Sequence, residues 1–232
     1  MKKLLISCIL VFSLMTGLFA QVLESKEAFY IYLKGSNYTL TEDDYLNYAE
    51  YVESDVFKKY HNDEFEWEDQ FAKLKNNFDK KINDAVLDKE YTIATKIDFG
   101  KYDSEKGGYI VEIADSTFFP LDQMSWRAPI KSIFYKKLAL KLESLSSYNL
   151  IPMNKDDAKK FLDTRKLSNG NVDRSVMILV KYKFADFNSK EYKNFEKLAV
   201  DNGYLPLVGI VSEIEVYDTS KGNQKKIGNL VK

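Results

Sequence analysis

The sequence predicts an α+β fold, an antiparallel or mixed sheet with N-terminal helices packed on one face. Three observations point there. Apolar residues recur at steps of three and four from Tyr45 to Ala85. At Glu90 the period changes to two, and alternating segments recur from there toward the C-terminus. The composition, 45% hydrophobic with nearly cancelling charges in 232 residues, suits one packed domain and is too apolar for disorder.

Taken in order, "EAFYIYLKG" reads as either a short strand or the first turns of a helix. Thr41 caps the next helix, with Asp44 three residues on completing a box and Glu42 and Asp43 in the first turn. Tyr45, Tyr48, Ala49, Val52, Val56 and Tyr60 predict a helix of about 18 residues. A second helix starts inside "HNDEFEWEDQF" (61–71), with Asp63 as N-cap and Glu66 as its partner. Its apolar stripe is Trp67, Phe71, Leu74, Phe78, Ile82 and Ala85, spanning about 80° of the helix surface. Acids crowd its first turns and lysines its later ones, which complements the helix dipole, and Asp69 and Lys73 are spaced to pair.

Tyr91, Ile93, Thr95, Ile97 and Phe99 alternate, "GKYDSEKGG" (100–108) is turn chemistry, and Tyr109, Val111 and Ile113 alternate again, which predicts a β-hairpin. "FFPLDQMSWRAP" (118–129), with two prolines, reads as irregular connection. Residues 137–144 read as a strand, although residues from Ile130 to Leu145 also fit helical spacing. Asn154 caps a short helix through Lys166. Val176–Phe184 is a strand with Lys181 and Lys183 on its other face, and 188–203 is an amphipathic helix stopped by Gly203. Val208–Val216 is a strand with Glu213 and Glu215 outward, and "QKKIGNLVK" adds an edge strand. A βαβ crossover between 137 and 184 is one way to connect this half.

The N-terminus reads as a secretory signal, residues 1–20, ahead of a single α+β domain over 21–232. Met1-Lys2-Lys3 is a positive n-region, "LLISCILVFSLM" an apolar h-region, and cleavage falls after Ala20. Leu18 stands where such sites carry a small residue, so an uncleaved anchor is the alternative. Only four residues separate Lys3 from Cys8, too few for the h-region of a lipoprotein signal. Cleavage removes Cys8, the sole cysteine, so the mature chain has no disulfide and no thiolate ligand or nucleophile. It also leaves 32 bases against 35 acids, a net charge of −3, and no integral span. The expected location is the periplasm or the extracellular space.

This composition excludes several chemistries. Basic residues occur as scattered pairs, so no nucleic-acid stripe is present. His61 is the only histidine, and zinc sites usually take two or more nitrogen or sulfur ligands, so no metal and no cofactor is expected. His61 reads instead as a surface or C-cap residue. Glu66 and Glu68 point roughly 160° apart on a helix, and Glu66 and Asp69 share a solvent face, so neither pair suits acid–base work. No nucleophile elbow, serine–lysine spacing, phosphate loop, dinucleotide fingerprint or calcium loop occurs.

A binding surface is the remaining reading. Trp126 and Arg127, Tyr102 and Tyr109, and Phe118 and Phe119 fall in or beside loops. Such aromatics stack on sugars or peptide side chains, or plug one end of the sheet. Arg165 and Arg174 stand out in a lysine-dominated chain and could each hold a fixed carboxylate, structural or ligand-borne. The binding candidates are thus Trp126, Arg127, Tyr102, Tyr109, Arg165 and Arg174, with no catalytic residue assigned.

"YHNDEFEWEDQF", "FGKYDSEKGGY", "IPMNKDDAKKFLDTRK" and "NVDRSVMILVKY", in this order, resemble an uncharacterised family of exported bacterial proteins known only as a domain of unknown function. The resemblance covers roughly residues 55–217 and implies no activity, ligand or site residue. The expected role is therefore a non-catalytic exported module binding an envelope protein, peptide or glycan. The alternatives are a hydrolase whose carboxylates converge only in three dimensions, and a carrier of small ligands or lipids.

Overall fold

A computed structural model describes residues 21–121, 132–220 and 224–232. After β1 (Gln21–Val22) come α1 (Ser25–Gly35), α2 (Glu42–Asn47), a π-helical turn (Tyr48–Val52), α3 (Ser54–Tyr60) and α4 (Glu64–Asp84). The remainder is β2 (Tyr91–Asp103), β3 (Gly108–Val111), β4 (Phe118–Leu121), β5 (Lys137–Glu143), β6 (Leu150–Pro152), α5 (Lys155–Thr164), β7 (Ser175–Phe184), α6 (Lys190–Asp201), β8 (Tyr204–Asp218) and β9 (Lys225–Asn229). The fold is α+β, with helices first and a mixed sheet after.

The strands join in the order β4-β5-β8-β7-β2-β3-β6, with β1 on β2 and β9 on β8. β5 runs parallel to β8 and β1 parallel to β2, and the other pairs are antiparallel. The long strands β2 and β8 each serve two neighbours on one edge. β8 pairs with β5 through Tyr204–Ile210 and with β9 through Glu215–Asp218. β2 pairs with β1 at Tyr91 and Thr92 and with β3 from Phe99 to Asp103, with a bulge between Phe99 and Tyr102. The sheet then curls on itself. Val231, just past β9, bridges Leu150 of β6, with each backbone N–H donating to the other's carbonyl. Strands β2, β3, β6, β9, β8 and β7 thereby form a closed ring, and α5 packs at one end of it through Phe161.

The other half is an open sheet covered on both sides. Leu205–Gly209 of β8 are consecutively buried, which period-two geometry permits only when both faces are covered. On one face α6 packs through Tyr192, Phe195 and Ala199, and Phe195 lies 6.1 Å from Phe118. On the other, α1 inserts Ala28, Phe29, Ile31 and Leu33. Phe29 packs tilted against Phe134 at 5.2 Å, and Tyr30 meets Phe78 of α4 at 6.1 Å. The N-terminal helices thus form a second layer behind α1, organised around Phe78, which also stacks on Tyr48 at 4.1 Å.

Several local expectations hold. Thr41 and Asp44 form a reciprocal capping box, and Asp63 and Asn154 each cap a helix. The strand at 137–143 is present, and its parallel partner is β8. The 91–113 hairpin and the edge strand near the C-terminus are also present.

Others are corrected. Residues 25–35 are helix, the alternative to a strand. The single helix after Thr41 is three pieces. The Glu53 N–H reaches back five residues to the Tyr48 carbonyl, and Glu53 itself leaves the helical region (φ −107°, ψ 41°). Residues 118–121 form a strand despite Pro120. β4 is bonded on one side only, by β5, so the missing N–H costs no ladder bond. No βαβ unit lies within 137–184. The chain between the parallel strands β5 and β8 carries β6, α5, β7 and α6. No salt bridge joins Asp69 to Lys73 among the described residues.

A candidate recognition site on the α3–α4 hairpin

Four residues singled out in the sequence meet at the α5 end of the ring. Tyr109 lies 5.5 Å from Tyr102 and 4.8 Å from Phe99, and Phe161 packs 5.5 Å from Phe99. The Arg165 guanidinium sits 4.9 Å from the Phe161 ring and 5.8 Å from Phe99, and that of Arg174 sits 5.4 Å from Phe99. Every polar group here has an internal partner. Tyr109 donates to the Ala158 carbonyl and Tyr102 to that of Met153. Arg174 donates to the Gly100 carbonyl. Arg165, with a side chain 0% exposed, donates to the carbonyls of Asp173 and Ser175 and to the Asp218 carboxylate. In this internally bonded cluster Tyr109 and Arg165 are buried, whereas Tyr102 and Arg174 are partly exposed. Trp126 and Arg127 lie outside the described residues.

Titratable clusters elsewhere are sparse. Among the described residues no group of three or more His, Cys, Asp or Glu side chains could hold a metal ion. A polar cleft of about 120 Å³ opens where β5 ends, lined by Asp115, Lys141, Glu143, Ser144 and Ser146. Within it Lys141 pairs with Glu143 at 2.7 Å, and Ser146 donates to Asp115. Pockets that enclose organic ligands run to roughly 300 Å³ or more. This cleft suits no large apolar cargo.

The α3–α4 hairpin, which contains "HNDEFEWEDQF", carries a run of partly exposed aromatics, with Phe65 the most exposed of the large apolar side chains described. α3 has no buried residue, and in α4 only Leu74 and Phe78 are buried. The first half of α4 therefore packs on little besides α3. There the rings form a ladder. His61 stacks on Phe57 (4.4 Å, 11°), Phe57 meets the edge of Trp67 (5.4 Å, 89°), and Trp67 stacks on Phe71 (5.1 Å, 24°). Lys75 continues it, with Nζ 5.3 Å from the Phe71 centroid and 4.9 Å from that of Tyr45. Phe57, Trp67 and Phe71 are half-buried and stand apart from the main core. Phe65, roughly 160° round the helix from Trp67, is 82% exposed.

Local chemistry fixes this geometry. His61 ends α3, with its N–H and Nδ1 both at the Phe57 carbonyl, the ring nitrogen at 2.8 Å. That bond holds the imidazole flat on the Phe57 ring. Asp63 accepts the Glu66 N–H at 3.1 Å and starts α4 two residues after α3 is capped, which makes the hairpin tight. Asp63, Glu64, Glu66, Glu68 and Asp69 are all exposed. None of the five carries a salt bridge among the described residues.

Sequence spacing assigned Trp67 and Phe71 to the same stripe as Phe78, and they do share that face. Periodicity gives a direction around the helix, not the depth of burial along it. The α3 residue that backs Trp67 is Phe57, which the spaced set containing Val56 and Tyr60 leaves out.

A family model described as a domain of unknown function (DUF4852) matches residues 41–164. The chain belongs to this family. The DUF4852 match runs from the Thr41 cap to the end of α5 and contains the whole ladder, the β2–β3 hairpin and β5. It overlaps the motif resemblance over 55–217, beginning earlier and ending sooner. β7, α6, β8 and β9 follow the matched residues, yet β7 and β8 are central in the sheet, so the folded unit is larger than the match. No curated protein and no solved structure matches the chain. Among the described residues no helix is long and apolar enough to cross a membrane.

Proposed function

We propose that this DUF4852 protein is an exported, non-catalytic recognition module that holds an envelope protein, peptide or glycan against the α3–α4 ladder. The observation that carries this reading is the ladder itself: Phe57, Trp67 and Phe71 pack ring against ring, half-buried and separate from the core. Rings left half-exposed on a rigid pair of helices are typical anchors for a partner. Export rests on the basic and apolar leader at residues 1–20.

A carboxylate-dependent hydrolase is the second reading. It would draw on the Asp115–Ser146 and Lys141–Glu143 cleft, where acids, a lysine and serines line a common hollow.

The test immobilises the protein and a Trp67→Ala/Phe71→Ala variant and passes over each an envelope extract, intact, protease-digested or glycan-digested. The reading predicts a retained component that one digestion removes and that the variant holds roughly ten-fold less well. Equal retention by both proteins, or no retention together with turnover of a hydrolase substrate panel, contradicts it.

A further inference from the structure

Resting on the export half of that reading, we infer that the folded domain conceals its own processing site, so that the leader must be cut away before β1 docks on β2. The bond in question follows Ala20. Beyond it, Gln21 is the first residue of β1 and pairs with Tyr91, and Val22 pairs with Thr92. Both partners on β2 are buried. Leu23 is buried in the main core, and the Glu24 carbonyl accepts the Ala28 N–H that opens α1. Ala28 and Phe29 follow, fully buried. The cut and the folded body thus adjoin.

A peptidase needs that bond drawn out. An enzyme that takes its substrate as an added strand requires free backbone groups on both sides of the cut. Three residues of extended chain span about 10 Å, so Leu23 tethers the bond within that distance of the core, too close for an enclosing cleft. β1 must therefore undock first. Burial of one leucine corresponds to roughly ten- to hundred-fold in population, and the pairing with β2 adds to it. The folded chain accordingly presents the bond only rarely.

The leader's own chemistry turns this into a race. Leu18 stands third before the cut, where a small residue suits the enzyme, and so slows cleavage while folding proceeds. The leader holds lysines and no arginine, so it lacks the twin-arginine signal. A chain threaded unfolded meets the peptidase before β1 can form. A chain that folds first keeps residues 1–20 joined to β1, whereas a chain cut first begins at Gln21. One sequence thus yields two forms, in a ratio set by the two rates.

The test dilutes the full 232-residue chain from urea into refolding buffer and adds a membrane leader peptidase in detergent, either at once or after refolding is complete. Mass spectrometry follows the product that begins at Gln21. The inference predicts cleavage at least about ten-fold slower after refolding than at once. Leu23→Asp, shown by circular dichroism to keep its sheet, removes the tether and should be cut equally well at either time. Leu18→Ala should speed the early cleavage several-fold and leave the folded chain as resistant as before. Equal rates for the unaltered chain at both times overturn the inference while export stands. So does protection of refolded Leu23→Asp that matches the unaltered chain. No cleavage after Ala20 at either time, in the unaltered chain and in Leu18→Ala alike, removes the export reading itself.

Discussion

Arg165 donates to the carboxylate of Asp218, 53 residues away, across the α5 end of the closed ring. The guanidinium is fully buried, flanked by Phe161 and Phe99, and also donates to the carbonyls of Asp173 and Ser175. Arg165 therefore ties the end of α5 to β7 and β8. Removing it leaves a largely buried carboxylate and two carbonyls without their donor. Arg165→Met should cost about 3–5 kcal/mol in urea unfolding. Arg165→Lys should recover little, because an ammonium cannot reproduce three directed N–H bonds in one plane. A loss under about 1 kcal/mol for either variant would contradict this role.

Acid should weaken the fold through the outer face of the same strands. Glu215 is 8% exposed and accepts from Lys226, Tyr217 and Lys181. Burial alone would push its carboxyl up, but those three donors together hold it down to about 2. Burial pushes Asp218 up as well, and Ser220 and Arg165 bring it below its ordinary value. A carboxylate depressed in the folded state contributes stability that is complete above its unfolded value of about 4.3 and is lost as pH falls toward the folded value. Unfolding free energy should thus be flat from pH 7 to 5 and decline below about pH 4.5. Glu215→Gln should reduce that decline, by up to about 3 kcal/mol at full effect. An unchanged slope in the variant would contradict the assignment.

Tyr182 and Tyr109 separate an idle hydroxyl from a working one. Both are buried, but the Tyr182 hydroxyl has no hydrogen-bond partner, whereas Tyr109 donates to the Ala158 carbonyl at 2.7 Å. Tyr182→Phe should be neutral or stabilising by up to about 1 kcal/mol, since it removes an unsatisfied polar atom. Tyr109→Phe should destabilise by about 1–2 kcal/mol. Thermal melting of the two variants, measured together, checks the order.

Gly108 lets β3 approach β6. A Cβ there would sit 2.3 Å from the Ile151 carbonyl oxygen, which is backbone and cannot rotate away. Gly108→Ala should cost about 2 kcal/mol or more and loosen the ring at its three-residue β3–β6 pairing. Faster amide exchange in β6 than in β7 would mark that site.

Much of the fold was legible because local chemistry and tertiary demand agree. Thr41, Asp63 and Asn154 are capping residues ahead of helical spacing, and each caps a helix. Tyr91–Phe99 alternates and is a strand. The illegible parts depend on partners distant in sequence. Pro120 reads as a breaker until β5 is beside it on one edge and nothing demands its missing N–H on the other. The parallel pairing of β5 with β8 follows only once four intervening elements are placed. Between Tyr45 and Tyr60 the apolar steps are uneven, and the π-helical turn absorbs that irregularity. For the site, the arginines signalled a fixed partner, but nothing local names Asp218. Trp67 and Phe71 were visible as a stripe, and their half-exposure was not, because it reflects the absence of a neighbour.

The central claim is that the ladder serves recognition rather than folding, and one variant measured two ways tests it most directly. Trp67→Ala is compared with the unaltered protein for unfolding free energy and for capture of the envelope component. The account predicts a stability loss of about 1 kcal/mol, well below the 3–5 kcal/mol of a buried tryptophan, with capture reduced roughly ten-fold. A core-sized loss of stability with capture unchanged would contradict it.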